Sequence, residues 1–172
     1  MRYAEARNFV RSGDLIAVRS RRTVFDAATR FVTGKPFTHT AVAVWGGFRG
    51  VPRLLVAESN GAGGSLSPLS NYADVDFDVF ECPVEEAAVE RALWKLLGTK
   101  IHYDVPDLAR IAANRLLGIP LPDRDDSRLI CSALSATIYL RAGWRPDGLP
   151  SIPAPDDMVR AVGCPPKLRV RA

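Results

Sequence analysis

The chain has 172 residues, a length that suits one domain of roughly 100–200 residues spanning positions 1–172. Its 47% hydrophobic and 24% charged residues are a globular composition, which excludes a disordered tail or a low-complexity linker. Twenty-three Lys and Arg against 19 Asp and Glu give a net charge of +4 with no basic stripe, so a nucleic-acid partner is not expected.

The longest uncharged stretch, Ser59–Ala73, has 15 mostly polar residues, whereas a membrane helix needs about 20 apolar ones. No transmembrane segment is therefore predicted. The opening MRYAEARNFVRSGD has no apolar centre and does not read as a signal peptide. Three cysteines are an odd number, and free thiols in a reducing compartment are the simpler reading.

The first predicted element is a strand over Asp14–Val18, a short apolar run after Gly13. A helix capped by Ser20 follows, with Val24, Phe25, Ala28, Phe31 and Val32 on one face and Gly34 as its stop. His39–Trp45 and Arg53–Glu58 read as strands of an antiparallel hairpin around the turn chemistry of Gly46–Gly50. Ser59–Ser67, with three Gly and three Ser, reads as a loop that could rim a site. Gly61-Ala62-Gly63-Gly64 opens no helix and so is no phosphate cradle.

Val75–Glu81 alternates apolar residues with acids, as a half-buried strand does. Helices are predicted over Glu85–Leu97, Pro106–Leu117 and Ser132–Ala142, the last poor in charge and hence buried. An ordered Pro-rich loop over Pro146–Pro155, a short helix at Asp156–Val162 and a strand at Lys167–Arg171 complete the chain. Strands and helices are segregated rather than alternating, which predicts an α+β fold with an antiparallel sheet packed against helices.

Cys82 and Cys164 precede prolines with no helix behind them, and both read as inert. Cys131 instead sits in the first turn of a helix, where free N–H groups and the macrodipole favour a thiolate. Its position fits a nucleophile and equally a small residue starting a core helix. A nucleophilic thiol needs a base, and the sequence offers only His39, at a strand end, and His102, in a loop between helices. His39 suits that role, or a structural one. A hairpin centred between Phe48 and Arg49 sets Glu58 directly opposite His39 among Ala41, Ala43, Leu54 and Val56. A carboxylate there either orients the imidazole or is simply exposed at the strand end, and a one-residue slip would put the two on opposite faces. Two histidines and scattered cysteines make no zinc spacing, and no metal or other cofactor is predicted.

Gly13-Asp14-Leu15-Ile16, Phe37-Thr38-His39, Val56-Ala57-Glu58, Tyr103-Asp104 and Ile130-Cys131-Ser132-Ala133-Leu134 together resemble the circularly permuted papain-fold hydrolases. This is the YaeF/YiiX-type branch of the NlpC superfamily of cell-wall peptidases, and the likeness runs from Gly13 to Pro155–Asp157. The order His, Glu, Cys carries it: unpermuted relatives place the Cys-bearing helix before the His strand, whereas the permuted branch and the lecithin retinol acyltransferase group place it after. Ala133 stands where that family frequently has Gly or Glu.

The resemblance implies a permuted papain-like fold with Cys131 as nucleophile, His39 as general base, Glu58 as orienting group and Tyr103 beside the oxyanion. It implies a thiol-dependent amidase or peptidase acting through a thioester on peptide, amino-acid amide or lipid-amide substrates. Its location would be cytoplasmic or phage-delivered. The alternatives are an acyltransferase on the same three residues and a non-enzymatic binding or phage structural module.

Overall fold

A computed structural model describes residues 1–19, 35–60, 63–97 and 130–172. The helix expected after Ser20, the helix over Pro106–Leu117, His102 and Tyr103 lie outside the described residues.

The described residues form a mixed α+β structure. Six strands, β1 (Leu15–Val18), β2 (His39–Phe48), β3 (Val51–Asn60), β4 (Gly63–Pro68), β5 (Phe77–Phe80) and β6 (Leu168–Val170), make one antiparallel sheet in the order β4-β3-β2-β1-β5-β6. Four α-helices accompany it: α1 (Tyr3–Ala6), α2 (Glu86–Leu97), α3 (Cys131–Arg141) and α4 (Pro155–Val162). Among the described residues no helix is long and apolar enough to cross a membrane.

Strand side chains alternate between faces, and the two faces hold two separate cores. Leu15, Ala17, Val42, Val44 and Ala57 pack beneath α2, α3 and α4. Ile16, Val18, Ala41, Ala43 and Val56 face the other way, under the N-terminal turn and a 3₁₀ turn at Leu69–Tyr72. Helix α3 is buried over nine of its residues, Cys131 to Tyr139, and this all-round burial is why the segment contains no charge before Arg141.

Two expectations are corrected. The hairpin turn is not centred between Phe48 and Arg49. β2 continues through Gly46 and Gly47, and Phe48 pairs with Val51 around Arg49-Gly50. Both turn residues have positive φ (51° and 76°), the type I′ geometry whose twist matches that of the flanking strands. The ladder therefore differs by two positions from the predicted pairing, and a shift of two keeps every side chain on its predicted face. Ser59–Ser67 is also not a loop. β3 runs to Asn60, and Gly63–Pro68 forms the edge strand β4, with Ser65 opposite Glu58. An edge strand can be held by backbone hydrogen bonds alone, so a stretch poor in β-formers can still pair.

The Gly13-Asp14 step anchors the sheet. Gly13 has φ +86°, and a Cβ there would lie 2.8 Å from the Cys82 sulfur, so only glycine fits. Its carbonyl accepts a 2.7 Å bond from the Tyr139 hydroxyl of α3. Asp14 is buried; its carboxylate accepts from the Arg11 N–H at 2.8 Å and from Lys167 Nζ at 3.0 Å, tying the C-terminal segment to β1.

Candidate functional site

The site lies where the start of β2 meets the start of α3. Ile130 occupies the N-cap of α3 and has no side-chain oxygen to satisfy the first-turn N–H groups. Those donors are left for other acceptors, and Cys131 is the first helical residue. One turn further on, the Ser135 hydroxyl donates to the Cys131 carbonyl at 3.2 Å and lies 3.2 Å from the Thr40 hydroxyl on β2. At the next position Ser132 donates to the Pro153 carbonyl at 2.7 Å, pinning the helix start to the Pro-rich segment.

That docking puts the Cys131 sulfur against the strand. The His39 ring and the backbone N–H groups of Thr40 and Ser132 lie close enough to it to favour negative sulfur. Burial disfavours a thiolate, but the His39 charge, the ring hydrogen bond and the two N–H donors outweigh it and lower the thiol's pKa.

His39 Nε2 is 2.8 Å from Glu58 Oε2. With Nε2 taken by the carboxylate, Nδ1 is the ring nitrogen left for the sulfur. Burial opposes the imidazolium, yet the Cys131 thiolate first and the Glu58 carboxylate second push the His39 pKa up to about 9. Continuing the observed ladder sets Glu58 opposite Ala41, so His39 is its diagonal neighbour on the same face, a separation of about 7–8 Å that long side chains bridge.

Glu58 is only 3% exposed, so an ionised carboxylate there needs partners. Among the described residues it has three: His39, the Ser67 hydroxyl on Oε1 and the Tyr72 hydroxyl on Oε2. Burial raises its pKa, but the His39 hydrogen bond and charge, followed by the two hydroxyls, bring it down to about 2. The Tyr72 ring also stacks on the His39 ring, with centroids 6.0 Å apart and planes 20° from parallel.

The structure thus brings together Cys131, His39 and Glu58 from α3, β2 and β3. Tyr103 lies outside the described residues. Sequence reasoning missed the Thr40 N–H, Ser67 and Tyr72. A backbone donor has no sequence signature, but Tyr72 had a faint one as the sole aromatic in Ser59–Ala73. Among the described residues, no group of three or more His, Cys, Asp or Glu could hold a metal ion. The array can hold a negative sulfur beside a positive ring, with a carboxylate fixing the ring from behind. No protein-family model matches the chain, and no curated protein matches it in sequence.

Proposed function

We propose that this chain is a cysteine-dependent hydrolase of the amidase or peptidase type, with a permuted papain-like, NlpC-type fold of the YiiX-like kind. The observation that carries the reading is the buried Cys131 sulfur beside the His39 ring, whose Nε2 lies 2.8 Å from the buried Glu58 carboxylate. The chain order His39, Glu58, Cys131 matches the permuted arrangement that the sequence resembles.

In this mechanism His39 takes the Cys131 proton, and the resulting thiolate attacks the carbonyl carbon of an acyl amide. First-turn N–H groups of α3, that of Cys131 foremost, stabilise the tetrahedral oxyanion, and losing one such donor typically costs ~2.7–4 kcal/mol. Tyr103 is a candidate second donor. The His39 imidazolium then protonates the leaving nitrogen as the C–N bond breaks, leaving a thioester on Cys131. His39 next deprotonates a water that attacks the thioester, releasing the acid and restoring the thiol. Glu58 holds the ring orientation and stabilises the imidazolium throughout, the part a third group plays in any base-assisted nucleophile. Peptide, amino-acid amide and lipid-amide substrates all present the required carbonyl, in the cytoplasm or after delivery by a phage.

The test is intact-mass analysis during turnover of a panel of muropeptides and simple acyl amides. A transient acyl adduct on Cys131, released by hydroxylamine and absent from Cys131→Ala, supports the reading. Turnover in Cys131→Ala at the wild-type rate overturns it.

A further inference from the structure

Glu58 has two carboxylate oxygens, and they are held differently. Ser67 bonds Oε1, whereas Tyr72 and His39 share Oε2. Tyr72 is fully buried in a 3₁₀ turn, and the same side chain that donates to Oε2 sets its ring nearly parallel to the imidazole, with centroids 6.0 Å apart. One residue therefore engages both members of the His–Glu pair, the carboxylate by a hydrogen bond from its hydroxyl and the imidazole by offset stacking of its ring. Among the described residues, three titratable groups on three elements face His39: Cys131 from α3, Glu58 from β3 and Tyr72 from the 3₁₀ turn.

We infer that Tyr72 is the positioning residue of this site, fixing Oε2 of Glu58 and the plane of the His39 ring together so that Nδ1 stays aimed at Cys131. The assignment rests on the Cys131–His39–Glu58 reading above. Rotation of an unrestrained ring about its χ2 would carry Nδ1 away from the sulfur, and a misplacement near 1 Å can cost ~10²-fold in rate. The hydroxyl also keeps the buried carboxylate ionised, consistent with its depressed pKa.

The test compares Tyr72→Phe with Ser67→Ala. The first keeps the stacked ring and deletes the donor to Oε2; the second deletes the donor to Oε1 and leaves the ring alone. Two quantities are read in full-length protein: the rate of Cys131 alkylation by iodoacetamide at neutral pH and the titration of the Glu58 carboxyl by NMR. Tyr72→Phe should slow alkylation about tenfold, within the range that misplacement produces, and move the Glu58 titration upward. Ser67→Ala should also raise the titration but leave alkylation within about twofold of wild type, because Oε2 keeps its direction. Equal alkylation in Tyr72→Phe and wild type, or equal losses in both variants, would overturn the assignment while leaving the cysteine reading intact. A wild-type Cys131 no more reactive than Cys82 and Cys164 would instead remove the reading on which it rests.

Discussion

Cys131, which opens α3, and Cys82, two residues beyond β5, are both free thiols, and both lose solvation on folding. Their surroundings differ in sign. Around Cys131 stand an imidazole and the N–H groups of Thr40 and Ser132, which favour negative sulfur. Cys82 is pushed upward by burial and by the carboxylates of Asp14, Glu86 and Glu81, which together outweigh a lowering hydrogen bond at the Val84 backbone; its thiol also lies 3.0 Å from the Val84 carbonyl, where it can donate. Burial alone does not make a cysteine inert or reactive; what faces the sulfur decides. At β5's end the chain presents acids and a carbonyl; at α3's start it presents donors left over by an apolar N-cap.

The largest effect that would sharpen this contrast is loss of the sulfur. Cys131→Ala should reduce amide turnover to background, whereas Cys82→Ala and Cys164→Ala should leave it near wild type, as measured on whichever acyl amide the panel identifies. Next, His39→Ala should lower turnover by ~10²–10⁴, the usual contribution of general acid–base catalysis. The same substitution should return the Cys131 thiol titration toward that of an ordinary thiol.

The pH dependence follows from the signs of the shifts. The His39 pKa is raised from 6.5 to about 9, so the imidazolium contribution to stability is full below 6.5 and disappears as pH rises through about 9. Turnover needs that proton for the leaving nitrogen and should fall about tenfold per pH unit beyond the upper limit. The Glu58 pKa is lowered from 4.5 to about 2, so its contribution is full above 4.5 and is lost as pH falls through about 2. Stability measured by urea unfolding across pH should follow both limits, and Glu58→Gln should erase the acid one. Glu58→Gln should also slow turnover while the circular dichroism spectrum stays that of wild type.

The smallest effect concerns the hairpin that brings His39 and Glu58 together. Arg49 sits at φ 51°, a left-handed conformation costing about 1–2 kcal/mol for ordinary residues, and Asn tolerates it better. Arg49→Asn should therefore stabilise the protein by up to about 1 kcal/mol in thermal or urea unfolding, with turnover unchanged.

How far the fold and site could be read from residues alone depended on which physical rule governed each element. Helix α3 was legible because an uncharged run of helix length must be buried, and α2 because its apolar stripe ends cleanly. The facing of His39 and Glu58 was legible because strand parity survives a two-position error in register. The turn position was not, because Gly46 and Gly47 look like turn residues and only Arg49-Gly50 supplies the paired positive φ that a tight hairpin needs. β4 was hidden because its pairing depends on backbone groups common to every sequence. Ser67 and Tyr72 were hidden with it, since their role depends on where β4 and the following turn return beside β3.

The most direct measurement is the order in which the three cysteines react with iodoacetamide at pH 7, mapped by peptide mass spectrometry. Cys131 should label first, and the preference should vanish in His39→Ala. Labelling of Cys131 no faster than Cys82 and Cys164, or a preference that persists without the imidazole, would contradict an ion pair between that sulfur and that ring.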